Sequence, residues 1–185
     1  MIAQQSYCIG NIENNNTSIY GYINKISYYT AHKMSLIKYA KTGNIETIRK
    51  MIKKGKLKKE DILRKNKDGE TALFLASRFG HLEIVKLLIT LGNLQKEDIM
   101  MNDNYNQTAL YWASYHGHLK IVKLLIKEGN LQKEDIMMKN NKGTSAYSVA
   151  KSPIKQLFNN ILFNGSINDM IKDIQQSTTL LCDIK

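Results

Sequence analysis

With 185 residues, 43% of them hydrophobic and 23% charged, the chain has room for one ordinary domain or a short stack of repeats, and its composition is that of a globular protein. Its longest apolar stretches, such as Ile84–Ile89, are interrupted by lysine, which excludes a membrane-spanning helix built on them. The net charge of +11 and pI near 9.5 invite a polyanionic partner, yet 24 of the 27 basic residues are Lys, and only Arg49, Arg64 and Arg78 offer the planar fork suited to phosphates and bases.

Residues 1–33 are rich in Asn, Tyr and Ser and lack periodicity, which predicts an extension that is either a loose tail or an irregular cover. This segment carries neither a basic leader nor a sustained apolar run, so no secretory signal is expected. Cys8 and Cys182 sit near opposite ends, outside any CxxC or Cys/His ligand spacing, and are expected to be free thiols in an intracellular, cytoplasmic protein.

From residue 34 onward the chain repeats itself. The decapeptide GNLQKEDIMM at Gly92–Met101 recurs unchanged at Gly129–Met138, a shift of 37 residues. The same shift lays TALFLASRFGHLEIVKLLI (Thr71–Ile89) on TALYWASYHGHLKIVKLLI (Thr108–Ile126). Shifting back finds a degenerate copy in MSLIKYAKTGNIETIRKMI (Met34–Ile52) and KKEDIL (Lys58–Leu63). Shifting forward finds Ser145, Ala146, Val149 and Ala150 holding the pattern until Pro153 breaks it. Four units follow: 34–66 (degenerate), 67–103, 104–140 and 141–165 (truncated).

Each unit reads as two short helices. Thr71 and Thr108 are N-cap candidates, and Gly43, Gly80 and Gly117 stand where the first helix must turn back. Leu82, Val85, Leu88 and Ile89, repeated as Leu119, Val122, Leu125 and Ile126, line one face of the second helix. Gly55, Gly92 and Gly129 are expected to stop that helix, and Ala76, Ala113 and Ala150 to let neighbouring helix pairs approach closely. After the repeats, Ser166 with Asp169 forms a possible capping box, and Ile167, Met170, Ile171 and Ile174 share one face, which predicts a C-terminal capping helix and tail over 166–185.

TALFLASRFGHLEIVKLLITLG and TALYWASYHGHLKIVKLLIKEG resemble ankyrin repeats, matching the family's TPLHxA and GHxxIVxxLL pattern at nearly all its apolar, Gly and His positions. The resemblance runs from Met34 to about Gly165. Three departures stand out. Ala72 and Ala109 replace the usual proline, Phe74 and Tyr111 replace the usual first-helix His, and the period is 37 instead of roughly 33. The resemblance implies an all-α helix-turn-helix solenoid of about four stacked units, binding a partner protein through a concave face of inter-repeat loops and first-helix side chains. Positions matching the family's variable sites are Lys67, Asp68, Glu70, Arg78 and Phe79 in the second unit and Asn104, Tyr105, Gln107, Tyr115 and His116 in the third, with Leu75 and Trp112 at the edge. The predicted partner site is Arg78, Phe79, Tyr105, Gln107, Trp112, Tyr115 and His116, aromatics being enriched among binding hot spots. The competing reading packs Trp112 and Tyr115 against neighbouring helices.

Other features compete with this site. Lys50–Lys67 holds nine basic residues against Glu60 and Asp61, with Lys53, Lys54, Lys56, Lys58 and Lys59 at its centre. It is an alternative site for nucleic acid or anionic membrane, although no nucleic-acid motif accompanies it and a solvated face is the plainer reading. Stacking would set Lys59, Lys96 and Lys133 in one row and Glu60, Glu97 and Glu134 in the next, a ladder read as solvated surface. His116 and His118 flank the Gly117 turn, and His81 and His118 hold the family's structural GH position, which points to turn stabilisation over metal or catalysis. No nucleophile elbow, zinc-protease motif, phosphate loop or dinucleotide fingerprint is present. The expectation is a monomeric, non-catalytic module with no cofactor, metal or small-molecule substrate.

Overall fold

The second, third and fourth units each open on a hydroxyl that caps a short helix. Thr71 Oγ1 accepts from the Phe74 amide at 3.1 Å, Thr108 Oγ1 from the Tyr111 amide at 3.2 Å and Ser145 Oγ from the Ser148 amide at 3.2 Å. Each satisfies an amide left orphaned by the first turn. The computed structural model describes residues 36–163 except Lys56. The predicted N-terminal extension, both cysteines and the predicted capping helix at 166–185 lie outside the described residues.

In chain order the first unit holds α1 (36–42), α2 (Ile45–Lys53) and α3 (Lys59–Ile62). The second holds α4 (Ala72–Arg78), α5 (Leu82–Gly92) and α6 (Lys96–Ile99), and the third α7 (Ala109–His116), α8 (Leu119–Glu128) and α9 (Lys133–Met137). The fourth holds α10 (Ala146–Val149) and α11 (152–163). Among the described residues there is no strand, only two isolated antiparallel bridges, Asn102 with Thr108 and Lys139 with Ser145.

The third helix of each of the first three units departs from the two-helix reading. The KEDI segments are short helices, and a helix of four residues does not hold itself together in water. What holds them is isoleucine: Ile62, Ile99 and Ile136 are fully buried at the same position of successive units. Burying one such side chain contributes about 1.5–3 kcal/mol, more than an exposed ion pair supplies at about 0.2–1 kcal/mol. The charges decorate a segment anchored by its apolar residue.

The two glycine classes also separate. Gly80 and Gly117 end the first helices with φ of +80° and +82°, as the turn requires. At the end of the second helix Gly55 is left-handed as expected, with φ of 62°, but in the second and third units the left-handed residues are Asn93 and Asn130, with φ of 43° and 45°, and not Gly92 and Gly129. Those glycines are small for another reason. A Cβ on Gly92 would lie 2.6 Å from the Leu94 side chain, and one on Gly129 2.8 Å from the Leu131 side chain, and both leucines fold back into the core.

One continuous apolar interior joins the units. It runs from Leu36, Ile48 and Met51 through Leu73, Val85 and Leu88 to Leu110, Val122 and Leu125, and ends on Ile154 and Phe158 of α11. Ala76 and Ala113 are fully buried where α4 meets α7. Pro153 does not break the fourth unit. It lies in the first turn of α11, where its missing amide costs nothing, so the fourth unit has a shortened first helix and a full second one. Successive first helices, α4 on α7 and α7 on α10, are in more extensive contact than the longer α5 and α8. The first helices and the loops together form one side of the stack, termed the inner face.

Candidate functional site

The loops between units form a ladder. At equivalent positions Asn66, Asp103 and Asn140 fold the side chain onto the loop: Asn66 Oδ1 accepts the amides of Asp68 and Glu70, both at 2.9 Å. Asp103 Oδ1 accepts those of Tyr105 and Gln107 at 2.9 and 2.8 Å, and Asn140 Oδ1 those of Lys142 and Thr144 at 2.9 and 3.0 Å. Successive loops then bond to each other. The Asn104 amide donates to the Asp68 carbonyl and its side chain to the Lys67 carbonyl, at 3.1 and 3.0 Å. The Asn141 amide donates to the Tyr105 carbonyl at 3.1 Å. Loops tied this way carry side chains on a fixed frame.

Histidine provides a second tie between units. The His81 ring covers Gly43 and donates from Nε2 to the Lys41 carbonyl at 3.1 Å, and His118 does the same over Gly80 to the Arg78 carbonyl at 3.1 Å. Because a carbonyl only accepts, the bond fixes the proton on Nε2. At the end of the stack Lys151 takes this place, lying over Gly117 and donating to the His116 carbonyl at 3.3 Å. The GH histidines thus hold neighbouring units together, and no group of three or more His, Cys, Asp or Glu able to hold a metal stands among the described residues.

On this frame the inner face carries a strip of rings and cations. Lys41 stands 5.8 Å from the Phe79 ring, and Arg78 lies 5.7 Å from Phe79 and 4.0 Å over Trp112. Trp112 stacks on His116 with centroids 5.6 Å apart and meets Tyr115 edge-on at 5.5 Å. Polar partners pin the strip from beneath: Glu70 holds the Arg78 guanidinium at 3.2 Å, and Gln107 Oε1 accepts from Trp112 Nε1 at 3.1 Å. His116 is held below the usual histidine value, first by loss of water on its packed side and then by the positive charges of His118, Arg78 and Lys151.

Six of the seven predicted partner-site residues therefore meet. Tyr105 stands apart at a loop tip, without a ring contact among the described residues. Phe79, Tyr105 and Tyr115 remain 43%, 61% and 49% exposed. Trp112 is half-buried between Arg78 and His116, and Leu75, expected at the edge, is buried outright.

A capped first helix, a GH turn, an apolar second helix and a tied loop, stacked in register, are the physical content of one repeat family. A family model described as ankyrin repeats, in 3 copies, matches residues 36–140, more than half of the chain. The chain belongs to the ankyrin-repeat family. No curated protein matches it. Ankyrin repeats are generally protein–protein interaction modules and typically non-catalytic.

In this ankyrin protein the residues beyond the usual period accommodate the KEDI helix. The departures at the first-helix His position also have a use: Tyr111 reaches the next unit, its hydroxyl 3.2 Å from Thr144 Oγ1. The charged ladder runs from Lys to Asp of the following unit, not to Glu. Lys59 meets Asp98 at 2.6 Å and Lys96 meets Asp135 at 2.7 Å. Each aspartate also accepts the amide that opens its own short helix, from Gln95 at 2.9 Å and Gln132 at 2.7 Å. Burial pushes the Asp98 carboxyl up, but the Lys59 hydrogen bond, the Gln95 amide and the Lys59 charge outweigh this and hold it below its usual value.

The basic patch is partly spent inside the stack. Lys59 is engaged by Asp98, and Lys65 donates to the Asn102 carbonyl at 2.6 Å. Lys53, Lys54 and Lys58 are exposed, and Lys56 lies outside the described residues. Arg49, Lys50 and Lys53 of α2, with Glu46, Ile52 and Leu87, line an open groove of about 350 Å³. Sequence reasoning missed Lys41 and Lys151 at the two ends of the ring strip, because both lie in atypical units. Shifting Lys41 by 37 onto Arg78 was the available signal.

Proposed function

We propose that this ankyrin protein is a monomeric, non-catalytic adaptor inside the cell, taking a partner protein on its inner face across the second and third units. The exposure of Phe79 and Tyr115 beside a pinned Arg78–Trp112–His116 stack, with Tyr105 exposed at the neighbouring loop tip, carries the reading. Large rings left in water on a pre-ordered frame bind with little ordering cost, and rings of this kind dominate binding energy elsewhere. Trp112 supports the site from below, since its ring is already covered by Arg78 and its nitrogen satisfied by Gln107.

The alternative, polyanion binding through Lys53, Lys54, Lys56, Lys58 and Lys59, is weakened by the engagement of Lys59 within the stack. Affinity capture with the intact chain, Phe79→Ala/Tyr115→Ala and Lys53→Glu/Lys54→Glu separates the two. Loss of a captured protein by about tenfold or more in the ring variant alone is expected. Loss in the lysine variant alone, with nucleic acid or anionic vesicles recovered, would reject the adaptor reading.

A further inference from the structure

We propose that the segment docking on the inner face is an acidic peptide carrying at least one large apolar side chain; this rests on the protein-binding reading above. The first helices, the loop tips and the residue leading into α11 expose Lys38, Lys41, Lys67, Lys142 and Lys151 against a single exposed carboxylate, Asp68, among the described residues. The other carboxylates nearby are spent. Glu70 is paired with Arg78, and the Asp103 carboxylate accepts two loop amides.

The arrangement along the stack sets a cation at each end of the rings. Lys41 stands at one end beside Phe79, Lys151 at the other beside His116, and neither is paired with a carboxylate among the described residues. Between them Phe79 and Tyr115 present exposed rings. An extended peptide laid across the units would set carboxylates at the two lysines and an apolar side chain between the rings. Charge complementarity of this kind governs partner choice and encounter rate.

A nucleic acid fits less well. It needs a continuous cationic track and ring faces free to stack on bases. Here neutral Asn104, Tyr105 and Gln107 stand on the face between the lysines, and Trp112 already has Arg78 over its ring and His116 stacked alongside.

The test is selection from a displayed library of random peptides on the intact chain, followed by anisotropy titration of the selected peptides. Lys41→Glu/Lys151→Glu, Lys41→Glu alone and Phe79→Ala/Tyr115→Ala are titrated alongside, with folding checked by circular dichroism. The single Lys41 variant covers the case in which loss of Lys151 loosens the end of the stack. Selected peptides are expected to be net acidic around a Leu, Ile, Phe or Trp, to weaken about tenfold or more in both lysine variants, and to weaken as salt rises over a range that shortens the Debye length from about 10 Å to a few Å. Neutral or basic peptides that still depend on Phe79 and Tyr115 would overturn the acidic preference and leave the adaptor reading standing. Binding that ignores both ring and lysine variants would overturn both. Equal competition by a thymidine oligonucleotide of matched charge would replace the peptide with nucleic acid.

Discussion

Gly80 and Gly143 share a positive φ, +80° and +74°, but not an environment. A Cβ on Gly80 would fall 2.7 Å from the His118 ring, whereas one on Gly143 would meet nothing within 4 Å. Gly143→Ala should therefore cost only the left-handed backbone penalty, about 1–2 kcal/mol. Gly80→Ala also displaces the ring that bonds to the Arg78 carbonyl, adding about 1 kcal/mol. Urea denaturation of the two variants measures the difference, and equal losses would mean that the His118 tie contributes nothing. At this scale the GH pattern pointed to a structural histidine at the turn, and only the structure showed its ring bonding back to a carbonyl of the preceding unit. The left-handed asparagines were not readable: Asn93 and Asn130 follow glycines, and the stronger turn signal masked the residue that adopts the strained conformation.

Among elements, the packing of α4 on α7 and the clasp between α3 and α6 give distinct expectations. Ala113 is fully buried between first helices, so Ala113→Leu should overpack the contact and cost about 1–3 kcal/mol, read as a lowered urea midpoint. An unchanged midpoint would count against close stacking there. Asp98→Asn keeps an acceptor for the Gln95 amide and removes only the charge facing Lys59, an expected loss of about 0.2–1 kcal/mol. Asp98→Ala removes both, about 1–2 kcal/mol. The Asp98 carboxyl is held low in the folded chain, so its contribution is present above the unfolded value near about pH 4 and fades as pH falls through the folded one. The native chain should thus lose stability between about pH 4 and lower pH more steeply than Asp98→Asn. Parallel pH curves would show the clasp to be energetically silent. The sequence displayed these charges as rows of like type; only stacking revealed that lysine reaches past glutamate to the aspartate of the next unit.

For the molecule as a whole, one continuous interior across four units predicts one cooperative unfolding event. The chain has a single tryptophan, and Trp112 lies in the third unit beneath Arg78 of the second. Its fluorescence reports one contact between units, while circular dichroism reports all helices. Urea transitions followed by the two probes should coincide. Separate midpoints would show that the degenerate first unit or the shortened fourth unfolds on its own.

The repeat, its period and its all-α character were decided by the residues in line, because each unit writes its cap, turn and apolar face locally and then repeats them 37 residues later. Most of the inner face followed, since variable positions are those where otherwise identical units differ. What required the tertiary structure was every relation between units: Ile62, Ile99 and Ile136 turning a charged segment into a core element, Trp112 lying beneath Arg78, and Lys41 and Lys151 bracketing the rings. A four-residue helix has no period to detect, and a contact across a stack depends on the bend and rise between units, which no single unit encodes.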